Sequence, residues 1–137
     1  MRVLGLDHGT ERIGVALSDD LGMIAQPLEF IPNHPTPGIW KRLKELLQDF
    51  PYELIVIGMP RNMDGSYGPA SEKVNQFIEQ LKLEIDTPIK TWDERLSSAQ
   101  ANRVLLQANV SRKKRKGKVD KMAAAIILQS YLDSVQM

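Results

Sequence analysis

The sequence predicts an α/β domain in which an antiparallel meander of three strands is followed by parallel strands in one mixed sheet, with helices on both faces. Three observations carry this. Short apolar runs stand first, at Val3–Leu6, Ile13–Leu17 and Met23–Ile31, and the connections between them are short enough for hairpins. Beyond Pro37, stretches with helical periodicity alternate with further strand-like runs. Such alternation calls for right-handed crossovers into parallel strands, and these cover both faces of a sheet. At 137 residues and 42% hydrophobic content, residues 1–137 suit one domain around a single core.

The elements follow in order. Asp7, Gly9 and their neighbours form the turn between the first two runs, and Pro27 puts the third strand at a sheet edge because it cannot donate to a ladder. Pro32 to Gly38 is a loop, with Thr36 as the expected N-cap of a first helix and Pro37 at its first position. Ile39, Leu43, Leu46, Leu47 and Phe50 form the buried stripe of that helix, and Pro51 ends it. Leu54–Ile57 is an unbroken apolar run, as expected of a strand covered on both faces, and Gly58-Met59-Pro60 stops it. A second helix from about Pro69 repeats the spacing with Ala70, Val74, Phe77, Ile78 and Leu81. Pro88–Trp92 is the next strand. A third helix then opens on the capping box Ser97-Ser98-Ala99-Gln100 and buries Ala101, Val104, Leu105 and Ala108. A last helix runs from about Val119 to Val135.

Net charge is only +1, but it is unevenly spread. Between Arg112 and Lys121 seven basic residues stand against one acid, Asp120, so that stretch carries +6 and the remainder −5. A basic run of this density is the electrostatic footprint of a phosphate backbone, against the plainer reading of a solvated charge run. Arg112, Lys113, Lys114, Arg115, Lys116 and Lys118 are the expected contacts, with Arg12, Arg61, Asn62 and Arg95 in loops nearer the strand ends. Aromatic content is 6%, so base stacking is not the expected mode of recognition. The absence of cysteine excludes disulfides and thiolate metal sites and fits a reducing cytosol. The longest wholly apolar run, Met122–Leu128, is far short of the ~20 residues that cross a bilayer, so a cytoplasmic protein without a membrane partner is expected.

Three acidic positions sit at joints of the chain: Asp7, the pair Asp93-Glu94, and Asp120. Each has an ordinary explanation, as a turn residue, a helix-start acid or a salt-bridge partner. Together they suggest a pocket outside the carboxyl ends of the strands. Adjacent strand residues point to opposite faces, so one of Asp93 and Glu94 belongs to that pocket; Glu94 is favoured and Asp93 is the runner-up. Asp120 shares a helical face with Ala124, Ile127 and Tyr131. Carboxylates gathered in one place repel, and Mg²⁺ or Mn²⁺ relieves the conflict. Two such ions ~3.5–4 Å apart suit phosphodiester hydrolysis without a side-chain nucleophile. His8 and His34 do not form a metal motif; His8, beside Asp7, is a candidate for supporting proton transfer there.

The motifs Leu-Asp-His-Gly-Thr-Glu-Arg-Ile-Gly-Val-Ala, Gly-Met-Pro-Arg-Asn-Met-Asp-Gly, Trp-Asp-Glu-Arg-Leu and Ser-Arg-Lys-Lys-Arg-Lys-Gly-Lys-Val-Asp-Lys closely resemble those of the YqgF (RuvX) family of Holliday-junction-resolvase-like nucleases, from Arg2 to about Asp133. The resemblance implies an RNase H-like fold and nuclease activity, with maturation of the 5′ end of pre-16S rRNA as the family's proposed role. It also implies catalytic carboxylates at Asp7, Glu94 and Asp120. Branched DNA is the alternative substrate, and a homodimer is one option, as in junction-cutting enzymes of similar fold. His8 and Met59 depart mildly from the family pattern. A non-catalytic nucleic-acid-binding module is the second reading. The third, an actin- or sugar-kinase-like ATPase suggested by Asp-His-Gly-Thr, needs a second domain to close its cleft.

Overall fold

The computed structural model describes residues 2–62, 64–95 and 112–135, with residues 112–121 described by their backbone alone. Five strands form one sheet: β1 Arg2–His8, β2 Arg12–Ser18, β3 Ala25–Pro32, β4 Tyr52–Met59 and β5 Ile89–Asp93. The spatial order is β3-β2-β1-β4-β5. β1 pairs antiparallel with β2, and β2 with β3, while β1–β4 and β4–β5 are parallel. The expected meander and mixed sheet are therefore present, and β3 lies at an edge. Its ladder shifts register between Val15 and Ala16, so that Glu29 and Pro27 are successive partners and Leu28 is the extra residue. A bulge there accommodates the missing N–H of Pro27.

Two helices cover one face, α1 Thr36–Asp49 and α2 Pro69–Glu84, and α3 Arg112–Val135 covers the other. The period-2 alternation of the strands feeds two apolar layers. Leu4, Leu6, Ile13, Val15, Ile55 and Ile57 meet Ile39, Leu43, Leu46, Val74, Phe77, Ile78 and Leu81 of α1 and α2. Val3, Ala16 and Val56 meet Ala124, Ala125, Ile127, Leu128 and Leu132 of α3. The second layer includes small residues, Gly5, Ala16, Ala124 and Ala125, which let the helix approach the strands. A Cβ on Gly5 would stand 2.8 Å from Leu128 Cβ and 3.2 Å from the Ala124 carbonyl oxygen, so glycine is a requirement of that packing.

Several boundaries differ from expectation, each for a local reason. Pro35, not Thr36, is the N-cap of α1, its extended backbone (φ −75°, ψ 150°) leading directly into the helix without a side-chain cap. Phe50 is exposed rather than buried; the Arg2 guanidinium lies 4.0 Å over its ring. On α2, Ser71 replaces Ala70 in the buried stripe, because its hydroxyl donates to the Pro60 carbonyl and is thereby satisfied. β4 runs on through Gly58 to Met59 and stops only before Pro60. Met23 and Ile24 precede β3 instead of belonging to it. The last helix already includes Arg112, so the basic run from there on is helical rather than a loop before Val119. The helix expected to be capped at Ser97, with Ala101, Val104, Leu105 and Ala108, lies outside the described residues. No described helix is long and apolar enough to cross a membrane.

Candidate carboxylate site

Alternation along three strands decides which acids face α3. On β1, Leu4 and Leu6 face α1 and α2, so Val3, Gly5 and Asp7 face α3. On β5, the Trp92 indole N–H donates to Ser130 Oγ of α3 at 3.0 Å, and its ring meets Tyr131 edge-on at 5.7 Å. Two residues further, Glu94 points to the same side, whereas Asp93 faces away. Between them, on β4, Gly58 lacks a side chain. A Cβ at that position would lie 2.7 Å from Glu94 Oε1 and 2.6 Å from Ile127 Cδ1. The bare backbone of Gly58 is the space through which Glu94 leans toward β1.

There the Glu94 and Asp7 carboxyl groups share a hydrogen bond. Burial, then the Asp7 charge and that hydrogen bond, and last the Asp93 charge push the Glu94 carboxyl up to about 7. Two carboxyl groups in contact cannot both be ionised cheaply, so one retains a proton near neutrality. Asp93 has the opposite environment. The Arg95 side chain grips it (Nη2 to Oδ2 2.7 Å, Nε to Oδ1 3.2 Å), and this pairing holds its carboxyl below the usual carboxylate range. The structure thus brings Asp7 and Glu94 together and leaves Asp93 as the partner of Arg95.

Asp120 lies in α3, one turn before Ala124, and its side chain is outside the described residues. The helix path bears on it nonetheless. Leu128 lies over Gly5, and Ala124 Cβ and Asp7 Cβ both come within 3.6 Å of the point where a Cβ on Gly14 would sit. Moving toward the N-terminus, α3 therefore travels along β1 to its Asp7 end, and residue 120 lies one turn farther on. Among the described residues no group of three ligating side chains gathers. The two that do meet offer only hard oxygen donors, in a pair whose mutual repulsion a cation would relieve; that donor set fits a divalent ion such as Mg²⁺ or Mn²⁺.

The expected phosphate contacts divide. Arg12, on β2, shares the α3 face with Asp7 and Gly14, and its guanidinium lies 4.0 Å over the Phe30 ring. Arg61 and Asn62 sit in the β4–α2 connection. Arg61 stacks over Tyr67 and hydrogen-bonds its hydroxyl, and Asn62 Nδ2 donates to Ser66 Oγ at 3.0 Å. Arg61, Tyr67, Asn75, Thr91 and Asp93 line a polar cavity of about 350 Å³. Arg112, Lys113, Lys114, Arg115, Lys116 and Lys118 occupy the first turns of α3, their side chains outside the described residues.

His8 is not a neighbour of the carboxylate pair. Alternation sends it to the α2 face, where its ring meets Phe77 at 4.7 Å and lines a cavity of about 300 Å³ with His34, Trp40 and Lys73. Burial, acting against the nearby Asp7 charge, lowers its pKa. A proton-transfer role beside Asp7 is therefore corrected by the strand pleat. Two positions escape the sequence reading, Gly58 and Phe30. In sequence Gly58 reads as a strand stop and Phe30 as part of an apolar strand, because neither carries a signal until its cross-strand neighbours are known.

A sheet of this order, with carboxyl groups converging near the carboxyl ends of β1 and β5 on the face that α3 covers, is an RNase H-like α/β domain. T. thermophilus RuvC in complex with Holliday junction substrate has the same fold, with a TM-score of 0.62 and 14% identity over 99% of this chain and 96% of that one. The fowlpox virus resolvase bound to Holliday junction DNA gives 0.51 and 13%, over the whole of both chains. At these identities the likeness concerns the fold alone. The chain belongs to the RuvX family, described as Holliday junction resolvase, whose model matches residues 1–134. A protein of Halothermothrix orenii is 54% identical over 133 residues, 97% of this chain and 95% of its own length. One of Desulforamulus reducens is 54% identical over 134 residues, 98% of each. Both are provisionally named pre-16S rRNA nucleases.

Proposed function

We propose that the chain is a divalent-metal-dependent nuclease that hydrolyses phosphodiester bonds of structured nucleic acid, processing the 5′ end of pre-16S rRNA in the cytoplasm. The observation that carries this reading is the contact between Asp7 and Glu94, reached from two parallel-paired strand ends across the bare Gly58. The names of relatives about half identical in sequence support RNA as the substrate. Asp7, Glu94 and Asp120 would hold the metal, Mg²⁺ or Mn²⁺. Such an ion, when bound, supplies Lewis-acid stabilisation of the charge that develops on the phosphoryl oxygens.

The chain's own residues have separable tasks. Asp7, on the central strand, is a rigid oxygen donor, paired with Gly14 of β2 and one residue beyond the Leu6–Ile57 pair of the β4 ladder. Glu94, across the bare Gly58, is the second oxygen donor, and it would shed the proton it shares with Asp7 when a cation takes that proton's place. Arg12, Arg61, Asn62 and Arg95, with Arg112, Lys113, Lys114, Arg115, Lys116 and Lys118, bind phosphates and orient the strand. The Asp93–Arg95 pair keeps one guanidinium fixed beside Gly65 in the β4–α2 connection.

Pure protein incubated with labelled ribosomal precursor RNA and with a four-way DNA junction, in Mn²⁺, Mg²⁺ or EDTA, tests the reading. Cutting of the precursor that needs metal and disappears in Asp7→Asn and Asp120→Asn, with binding retained, is the expected result. Full activity in both variants would sink it. Preferential cutting of the junction would favour the second reading, a branched-DNA resolvase acting as a homodimer, which the family description and the RuvC-like fold support.

A further inference from the structure

On the sheet face that carries Asp7, an aromatic side chain from β3 braces a guanidinium from β2. The cross-strand register runs Asp7↔Gly14 between β1 and β2, and Gly14↔Phe30 between β2 and β3. With two strand spacings of ~4.8 Å each, the Asp7 and Phe30 backbones are about 10 Å apart. Gly14 has no side chain, so the flanking ones close over it. Asp7 Cβ lies 3.6 Å and Phe30 Cε1 3.7 Å from the point where a Gly14 Cβ would stand. Phe30 thus reaches over Gly14 on the Asp7 side and carries Arg12, whose guanidinium carbon sits 4.0 Å over its ring.

Arg2 over Phe50 and Arg61 over Tyr67 are stacked in the same way, but Arg12 is the one that stands on the Asp7 face of the sheet. Arg42 is bound by Glu29 and Glu45, and Arg95 by Asp93. Arg12 is exposed, and among the described residues no carboxylate pairs with it. A ring 37% exposed at an edge strand contributes less burial than a core aromatic would. What it provides is a flat support that restrains a long, exposed side chain.

We infer that Arg12, braced by Phe30 over Gly14, forms a phosphate-binding subsite for the nucleotide adjoining the one held at Asp7 and Glu94, and that Phe30 is its positioning residue. This rests on the nucleic-acid reading of the carboxylate site and adds a defined path for the strand, across β1, β2 and β3 toward the sheet edge. Phe30 acts through Arg12, so losing the ring weakens substrate binding without touching the chemical step.

The test measures binding of a short fluorescein-labelled single-stranded RNA to the full chain in EDTA, across a salt series, and KM and kcat on precursor RNA in Mn²⁺. Arg12→Ala weakens binding roughly tenfold and lowers the salt slope by about one phosphate. Phe30→Leu weakens it about threefold and raises KM by a similar factor, with kcat unchanged. Phe30→Tyr keeps the ring and behaves as wild type, and it serves if Phe30→Leu melts early. The double variant Arg12→Ala with Phe30→Leu is no weaker than Arg12→Ala alone, because the brace has nothing left to hold. Wild-type binding by Phe30→Leu, or additive losses in the double variant, would overturn the subsite while leaving metal-dependent cutting intact. Coupled losses of binding in a protein that does not cut would sink the nuclease reading and keep the subsite. A wild-type protein that fails to bind the RNA overturns both.

Discussion

Replacing Glu94 by glutamine isolates the cost that the carboxylate pair imposes on the fold. Burial and Asp7 raise the Glu94 carboxyl from the ordinary glutamate range to about 7. The folded protein therefore keeps a proton that the unfolded chain has lost above about pH 4.5. The stabilisation is complete below that pH and disappears as pH rises through about 7. At ~1.36 kcal/mol per pKa unit the ionised form costs up to about 3 kcal/mol. Water reaching the partly exposed carboxyl reduces this to about 1–2 kcal/mol. A glutamine side chain in its place is uncharged at every pH and can still donate to Asp7. Melting curves in EDTA at pH 8.5 should place Glu94→Gln about 3–7 °C above wild type, with a smaller difference at pH 5. Adding Mn²⁺ at pH 8.5 should raise the wild type more than the variant, while the variant no longer cuts RNA. Equal shifts at both pH values, or a variant less stable than wild type at pH 8.5, would refute the account of an electrostatically strained pair.

Two further substitutions probe the packing that brings the acids together. Gly58→Ala places a methyl 2.6 Å from Ile127 Cδ1 and 2.7 Å from Glu94 Oε1; urea unfolding should show a loss of about 1–3 kcal/mol, and a cleavage assay a loss of activity as Glu94 is pushed aside. Leu128→Ala empties a fully buried site between α3 and β1 and should cost about 2–5 kcal/mol in the same measurement.

Much of the molecule can be read from its residues because the signals are local. Pro27 predicts the edge strand, the unbroken Leu54–Ile57 run predicts a strand covered on both sides, and the spacings in α1 and α2 predict which face packs. Errors fall where a side chain's partner is remote in sequence. Ser71 is buried because the Pro60 carbonyl awaits it, and His8 leaves the site because β1 turns it toward Phe77.

The same division holds for function. The sequence by itself named Asp7 and the Asp93-Glu94 pair as the acids to compare, and determined the concentration of positive charge in one ten-residue stretch and the order of the described strands and helices, since each depends on residue type and spacing. Tertiary structure decided that Glu94 rather than Asp93 reaches Asp7, that Gly58 gives it room, and that Phe30 supports Arg12. Those outcomes depend on which sheet face α3 covers and on cross-strand register, and period-2 alternation leaves both undetermined until the strands are paired.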